Sequence, residues 1–231
     1  ENKVVLVTGA ATGIGKSNAE NFGKAKAKVV INYRSDRHHD EIGEIKQTVA
    51  KFGGQTLVVQ GDVSIEEDIK RMIETTINHF GTLDIIINNA GFENSIPTHE
   101  MSIDDWQKVI DINLTGAFVG SREAINQFLK ENKKGTIINI SSVHDTIPWP
   151  NYVHYAASKG GLKLMMETMS MEYAQHGIRI NNISPGAIFT EHTEEKFSDP
   201  TTREETIKMI PAREIGNAQD VANAVLLLYS D

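Results

Sequence analysis

Short runs of apolar residues alternate along the chain with longer stretches in which apolar and polar residues mix. The first run, 3–8 (KVVLVT), is rich in β-branched residues, and similar runs occupy 28–32, 56–60, 83–87 and 135–141. Strands that are covered on both faces of a parallel sheet have this continuous apolar character. The pattern predicts an α/β protein, with a single-domain Rossmann fold in which a doubly wound parallel sheet is flanked by helices.

The stretches between these runs are predicted to be helices. Ser64 is predicted to cap a helix that runs to about Phe80, with Glu67 completing a capping box. A long helical region is expected over about 103–132. Further helices are predicted from the glycine turn to about residue 23, over about 38–52, from residue 153 onward and over about 220–229. A helical segment over about 194–210 is predicted to form a mobile lid over the substrate.

Composition and charge narrow the function classes. The chain has 231 residues and is 39% hydrophobic, so we expect one domain over 1–231. The net charge of -8 argues against binding nucleic acid or an anionic membrane surface. There is no cysteine, and the eight histidines show no zinc-site spacing, so no metal is expected. Neither a signal segment nor a membrane-spanning apolar run occurs, so a soluble cytoplasmic protein is expected.

A glycine-rich turn, reading GAATGIG over 9–15, follows the first strand and opens the first helix. Glycines in this position let the backbone approach a pyrophosphate that sits on the helix N-terminus. Two alternatives compete with a dinucleotide site. One is a tight turn without a ligand, and the other is a P-loop ending at 15–17 (GKS), whose required first glycine is replaced by Ala10. The dinucleotide site is the stronger interpretation.

The end of the second strand is where a dinucleotide fold meets the adenosine ribose. An NAD-selective site usually places an acid there, but Arg34 and Ser35 occupy the position and no acid occurs until Asp36. Guanidinium suits phosphate oxygens, so Arg34 would bind the 2′-phosphate of NADP. An exposed arginine at a strand end is the alternative. We expect NADP use with NAD tolerated, and Asp62 with Val63 bordering the adenine.

Ser142, Tyr155 and Lys159 are the main candidates for catalysis. In a helix that begins near 153, the Tyr-x-x-x-Lys spacing places the phenol and the ammonium on one face, one turn apart. A cation about 4 Å away favours the phenolate by about 4 kcal/mol at an effective dielectric of about 20, which would bring the tyrosine pKa near neutrality. Tyr155 would then be a general base, with Ser142 holding the substrate oxygen. A packed tyrosine beside a solvated lysine is the alternative.

Several motifs follow one another in a characteristic order: TGxxxGxG at 8–15, Asp62, NNAG at 88–91, Asn113, Ser142, YxxxK at 155–159, and Pro185-Gly186 with Thr190. Together they resemble the short-chain dehydrogenase/reductase family over residues 3 to about 228. The resemblance implies NADP or NAD as coenzyme and reversible hydride transfer between a carbinol carbon and nicotinamide. It also implies a catalytic tetrad of Asn113, Ser142, Tyr155 and Lys159.

In that scheme Tyr155 is the acid/base, and Lys159 lowers the tyrosine pKa and holds the nicotinamide ribose. Ser142 orients the substrate oxygen, while Asn113 supports a water that leads to Lys159. The implied coenzyme contacts, besides Tyr155 and Lys159, lie in the glycine turn, at strand ends and in the loop at 185–190. They are Gly9, Thr12, Gly13, Ile14, Gly15, Arg34, Ser35, Asp62, Val63, Asn89, Ala90, Gly91, Pro185, Gly186, Ile188 and Thr190.

Two loops resemble those of the bacterial glucose 1-dehydrogenases within the family: GFEN at 91–94, and SVHD at 142–145 with PWP at 148–150. A sugar pocket needs polar groups that match the hydroxyls. The substrate-site candidates are Glu93 and His144, together with Ser142 and Tyr155. A solvated acid and a loop imidazole are the alternatives. The resemblance implies a small-molecule sugar partner and oxidation of β-D-glucose at C1 to D-glucono-1,5-lactone.

Two features depart from this resemblance. Phe189 and Glu191 make the loop at 185–193 bulkier and more acidic than expected for a sugar enzyme. The chain also starts directly before the first strand and stops at Asp231, without the seventh strand and glycine-rich tail of the family. We therefore expect both ends to be trimmed.

A homotetramer is the expected assembly. The helix after Tyr155 carries small residues at 156, 157, 160 and 161, followed by apolar ones, and the resemblance implies that this helix and the helix with Asn113 form a subunit interface. Packing against the sheet is the alternative.

Two rival functions remain. One is a 3-oxoacyl-[acyl-carrier-protein] reductase or another carbonyl reductase of the family, although the chain shows no concentrated basic patch for docking an acyl carrier. The other is a non-catalytic dinucleotide-binding protein, which the intact tetrad disfavours.

Overall fold

Six parallel strands form the central sheet of the computed structural model, which describes residues 1–229. Their order across the sheet is β3-β2-β1-β4-β5-β6, so the chain starts in the middle, moves to one edge and then crosses to the other. The strands are β1 (Val4–Val7), β2 (Lys28–Tyr33), β3 (Gln55–Gln60), β4 (Ile85–Asn88), β5 (Gly135–Ile140) and β6 (Ile178–Ile183). The predicted doubly wound parallel sheet is confirmed.

Helices cover both faces of this sheet. They are α1 (Gly13–Lys24), α2 (His39–Lys51), α3 (Glu66–Phe80), α4 (Ile103–Ile110), α5 (Gly116–Lys130), α6 (Val153–Tyr173), α7 (Glu194–Ser198), α8 (Pro200–Met209) and α9 (Ala218–Tyr229). One core cluster joins α1, α2 and α9 to Val5 and Val7 of β1, and the other joins α3, α5 and α6 to Val4 and Leu6. Alternate residues of β1 therefore pack into two different core clusters, one on each face of the sheet. None of the helices within 1–229 is long and apolar enough to cross a membrane.

One local prediction is confirmed and another needs correction. The predicted helical region over 103–132 is helical from Ile103 to Lys130, with a π-helical turn, Asp111–Thr115, that contains Asn113 between α4 and α5. The capping box at Ser64 is wrong, because α3 begins at Glu66 without a side-chain cap. The Ser64 hydroxyl instead donates to Asp62 Oδ1 at 2.7 Å, so the loop after β3 uses this serine to hold its own aspartate.

The segment predicted as a lid contains α7 and α8. A second, two-stranded parallel sheet joins β7 (Ile188–Phe189) to β8 (Gly216–Asn217). Since β7 precedes the lid and β8 follows it, the segment leaves the body of the protein and returns to it at one place.

Three asparagines link β4, β5 and β6 at the carboxyl edge of the sheet. Asn88, Asn139 and Asn182 are register partners on neighbouring strands. Asn88 Nδ2 donates to Asn139 Oδ1 at 2.8 Å, and Asn139 Nδ2 donates to Asn182 Oδ1 at 2.9 Å. Asn139 is fully buried, so each amide supplies the partner that its neighbour cannot obtain from water.

Replacing Asn139 with alanine should destabilise the fold, because it removes a partner from both neighbouring amides. We expect the free energy of unfolding in urea to fall by about 2–4 kcal/mol. Asn78→Ala, at an exposed position of α3, is the matched control and should change it by less than about 0.5 kcal/mol. Equal stability of the two variants would show that the asparagine network does not stabilise this edge.

Candidate active site

The glycine turn at 9–15 connects the carboxyl end of β1 to the start of α1. Gly13 has φ +53°, a left-handed conformation that L side chains disfavour. A Cβ atom at Gly15 would lie 2.2 Å from the carbonyl oxygen of Gly9, so this close approach needs glycine. Asn89 Nδ2 donates to that same carbonyl at 3.1 Å and thereby ties the end of β4 to the turn.

The glycine turn presents an anion-binding N–H group. Gly13 N–H donates to Oε2 of Glu191 at 3.0 Å, and Thr12 Oγ1 lies 3.4 Å from Nε2 of His192. The start of α1 carries partial positive charge, and the first turn of the helix contains no acid. Ile14 packs on the core behind the turn. The residues present therefore fit the pyrophosphate of a dinucleotide.

The residues predicted at the adenosine end lie at the ends of β2 and β3. Arg34 is largely exposed, and its Nη1 lies 3.8 Å from Asp62 Oδ2, a loose ion pair. Both residues line a cavity of about 400 Å³. Ser35 follows Arg34 and is half-buried, and Val63 follows Asp62 and lies against α5, where a Cβ at Gly116 would meet its carbonyl at 2.6 Å. The structure thus brings Arg34 and Asp62 together.

Asn113 is buried in the π-helical turn, and both ends of its amide are bonded. Its Oδ1 accepts the Phe92 N–H at 2.8 Å, and its Nδ2 donates to the Phe92 carbonyl at 2.9 Å and to Ser158 Oγ at 3.2 Å. Asn113 therefore clamps the loop that follows β4 next to Glu93. Its role in supporting a water stays a prediction.

The end of β4 approaches the glycine turn closely. The Ala90 N–H donates to Thr8 Oγ1 at 3.1 Å, and a Cβ at Gly9 would meet the Ala90 Cα at 3.0 Å. Gly91 is exposed, and a Cβ added to it would lie 4.0 Å from Lys159 Nζ. Residues 89–91 therefore connect the candidate coenzyme site to Lys159.

Ser142, Tyr155 and Lys159 meet at the carboxyl edge of β5, as predicted. Ser142 is buried directly after the strand, and its Oγ accepts the His144 N–H at 3.2 Å. Tyr155 lies in the first turn of α6. Lys159 follows one turn later, with Nζ 5.6 Å from the centroid of the tyrosine ring. The spacing in sequence therefore places the phenol and the ammonium on one side of the helix.

Lys159 is buried, and its Nζ donates to the carbonyl oxygen of Ile140 at 2.8 Å. Burial lowers the pKa of the lysine to about 8, although the charges of Glu93 and Asp145 act in the opposite direction. The ammonium is thus a desolvated cation held at the end of β5, and not the solvated surface lysine of the alternative interpretation.

The pKa of Tyr155 is shifted opposite to the prediction made from the Tyr-x-x-x-Lys spacing. Burial of the phenol raises its pKa, the negative charge of Glu93 raises it further, and a hydrogen bond with Ser142 lowers it. The sequence argument started from the pKa of tyrosine in water and added only the favourable charge of Lys159. It did not include the burial of the phenol or the negative charge of Glu93. The tyrosine is therefore held in its protonated form in the protein without coenzyme.

The loop at 185–190 lies between Ser142 and the glycine turn. The Pro185 carbonyl accepts the Val143 N–H at 3.0 Å, next to Ser142. Gly186 is exposed, Ile188 belongs to β7, and a Cβ at Gly13 would lie 3.4 Å from the Thr190 side chain. This position is consistent with the predicted contacts to the nicotinamide half of a dinucleotide.

Glu93 and His144, on two different loops, both act on Tyr155. Besides burial, the negative charge of Glu93 raises the pKa of the tyrosine. Desolvation raises the pKa of the Glu93 carboxyl itself, and the charges of Lys196 and Lys159 oppose that rise. The His144 ring is 6.5 Å from the Tyr155 ring, centroid to centroid, and its Nδ1 lies 3.0 Å from the Ile147 carbonyl. Two polar side chains therefore influence the phenol, one by its charge and the other by a ring contact.

Sequence reasoning missed an aromatic stack beside these residues. Trp149 stacks on His144 at 4.2 Å and on Tyr152 at 3.6 Å between ring centroids, and Lys196 Nζ of α7 lies 5.1 Å from the Trp149 ring. The sequence feature that could have predicted this aromatic wall of the site is the tryptophan between two prolines at 148–150. Lys196, in contrast, has no local signal, because only the fold brings α7 to Trp149.

Asp145 was also missed as a residue of the site. Its Oδ2 accepts hydrogen bonds from Ser141 Oγ at 3.1 Å and Ser184 Oγ at 2.6 Å. This carboxylate joins the ends of β5 and β6 near Lys159. Within residues 1–229, no group of three or more histidine, aspartate or glutamate side chains is placed to hold a metal ion.

Comparison with known proteins agrees with this geometry. The family model for short chain dehydrogenases matches residues 3–201. The chain is 45% identical over 231 residues to glucose 1-dehydrogenase 2 of Bacillus subtilis (strain 168), covering 99% of this chain and 88% of that protein. It is 44% identical over 231 residues to 3beta-hydroxysteroid dehydrogenase 1 of Eggerthella lenta, covering 100% of this chain and 88% of that protein.

A solved structure supports the coenzyme. A provisionally assigned NAD(P)-dependent gluconate 5-dehydrogenase of Beutenbergia cavernae, with NADP bound at low occupancy, superposes with a TM-score of 0.88 at 29% identity, covering 97% of this chain and 88% of that one. Sequence, fold and site geometry agree, and the chain is therefore an NAD(P)-dependent oxidoreductase of the short-chain dehydrogenase/reductase family.

Proposed function

We propose that this enzyme oxidises β-D-glucose at C1 to D-glucono-1,5-lactone. The observation that carries the proposal is that Glu93 and His144, on two different loops, both act on Tyr155, Glu93 through its charge and His144 through a ring contact. A carboxyl and an imidazole in this position match a substrate with several hydroxyl groups. The similarity to glucose 1-dehydrogenase 2 of Bacillus subtilis supports the same substrate class.

The residues of the site suggest how a hydroxyl would react there. Bound NAD(P)⁺ supplies the hydride acceptor. Ser142 Oγ would hold the anomeric oxygen, and the Tyr155 phenolate would take the hydroxyl proton as the C1–H bond breaks. A cation at Lys159 would favour that phenolate by its charge, whereas burial and the negative charge of Glu93 oppose it. A sugar hydroxyl that donates to Glu93 would disperse this opposing charge.

A second candidate substrate is an apolar secondary alcohol of the hydroxysteroid type. Phe189, Phe197 and Ile207 line a cavity of about 560 Å³ at the base of the lid, and Phe189 is the bulky residue that departs from the sugar enzymes. The 44% identity to a 3β-hydroxysteroid dehydrogenase supports this alternative for the same catalytic centre.

Absorbance at 340 nm tests these substrates with NADP⁺ and NAD⁺. We expect a rise with β-D-glucose, because Tyr155 takes the proton of the anomeric hydroxyl while the C1 hydride passes to the coenzyme. Tyr155→Phe should lower kcat about 10²–10⁴-fold. If the absorbance rises with a 3β-hydroxysteroid but not with glucose, the substrate is an apolar secondary alcohol. No oxidation, but consumption of NADPH with an acetoacetyl thioester, would make the enzyme an acyl-carrier reductase.

Variants of the two polar side chains separate recognition of the sugar from the chemistry. Glu93→Gln and His144→Ala should raise KM for glucose about tenfold or more and leave KM for the coenzyme nearly unchanged. Glu100→Gln, at an exposed position beyond the same loop, is the control. Unchanged glucose kinetics in both variants would refute the assignment of these residues.

We propose further that Arg34 selects NADP. Its guanidinium is largely exposed and its ion pair with Asp62 is loose, so it can accept a phosphate as a second partner. Arg34→Ala should lower kcat/KM for NADP⁺ about tenfold or more, with little effect for NAD⁺. If the ratio of the two efficiencies does not change, Arg34 does not read the 2′-phosphate.

We propose a homotetramer, with α5 and α6 at the subunit interface. Phe118 of α5 and Leu164 and Met171 of α6 are exposed apolar side chains, whereas Gly161 faces Leu114 within the chain. The small residues therefore serve internal packing in part, and the exposed apolar ones remain for a partner. Light scattering at micromolar concentration should give four times the chain mass, and a monomer would contradict the proposal.

A further inference from the structure

The carboxylate of Glu191 occupies the anion-binding position of the glycine turn. Its Oε2 accepts the Gly13 N–H at 3.0 Å, and the following His192 places Nε2 3.4 Å from Thr12 Oγ1. Both contacts reach from the loop after β7 to the start of α1, across more than 170 residues of sequence. The turn that fits a pyrophosphate is therefore already bonded to an acid of the same chain.

The local charges explain why an acid sits there. The N-terminus of α1 carries partial positive charge and has no acidic residue in its own first turn. Lys16, also in this turn, has its Nζ 2.5 Å from Glu44 Oε2. Because Lys16 already has this partner, Glu191 completes the anion site through the backbone of Gly13.

A pyrophosphate and a carboxylate cannot accept the same N–H group, and their like charges repel each other. We propose that Glu191 is an internal competitor of the coenzyme, which must leave the Gly13 N–H before the pyrophosphate binds. The proposal rests on the assignment of Gly13 to the coenzyme site. It does not depend on the identity of the alcohol substrate.

The position of Glu191 also links coenzyme binding to the substrate side of the site. Thr193 holds the loop, because its Oγ1 accepts the Thr190 N–H at 2.9 Å and donates to the Ile188 carbonyl at 2.8 Å. Lys196 follows in α7 and lies 5.1 Å from the Trp149 ring. Glu191 therefore shares a loop segment with Lys196, which contacts the aromatic wall beside Tyr155.

The test is the dissociation constant for NADPH and for NADH, followed by the fluorescence of the reduced nicotinamide without substrate. Glu191→Gln removes the charge, and Glu191→Ala removes the charge and the hydrogen-bond acceptor. Both should lower Kd about 3- to 30-fold, the range expected for an acid at a helix N-terminus. Glu195→Gln makes the same charge change on the same segment and should alter Kd less than about twofold.

Hydrogen exchange gives a second readout that does not involve catalysis. Without coenzyme, the Gly13 amide, whose N–H donates to Glu191, should exchange faster in Glu191→Ala than in the wild type. If both Glu191 variants are folded, as judged by their Tm, and their Kd is unchanged or higher than that of the wild type, the proposal is overturned. Equal tightening by Glu195→Gln would also overturn it, because a general charge effect would then suffice.

Discussion

The burial of one cation at the carboxyl edge of the sheet constrains the rest of the site. The ammonium of Lys159 has exchanged water for the Ile140 carbonyl, and its pKa falls to about 8. A charged group tolerates such a position only when polar partners surround it. Glu93 and Asp145 supply negative charge from the loops after β4 and β5, and the same Glu93 raises the pKa of Tyr155. Lysine, tyrosine and glutamate therefore form one electrostatic unit.

The fold provides this unit with fixed attachment points. Asn139 bridges its neighbours on β4 and β6, and Asn113 clamps Phe92 beside Glu93. Each of these amides has hydrogen-bond partners inside the protein, so the strand ends and the loop that carry charged groups are held in place. The glycine turn is tied to the same edge of the sheet by Asn89. The candidate coenzyme site and the candidate catalytic residues thus share one support.

Much of the fold could be predicted because it follows from local patterns. Buried parallel strands are continuous apolar runs, and Tyr155 and Lys159 share a helix face by their spacing alone. The failures involve contacts that the pattern of apolar and polar residues does not encode. Ser64 bonds Asp62 within its own loop instead of capping α3, whereas Lys196 reaches Trp149 and Glu191 reaches Gly13 from distant segments. The direction of the Tyr155 pKa was wrong for the same reason, since burial and Glu93 come from the assembled fold.

The most direct test of this electrostatic account is a titration of the Tyr155 phenol, followed as the tyrosinate absorbance near 295 nm that wild type has and Tyr155→Phe lacks. Without coenzyme, the account predicts a pKa above the ordinary tyrosine value of about 10 and a lower pKa in Glu93→Gln, because that substitution removes the opposing charge. A pKa below about 10 in the coenzyme-free wild type, or one that Glu93→Gln leaves unchanged, would contradict it.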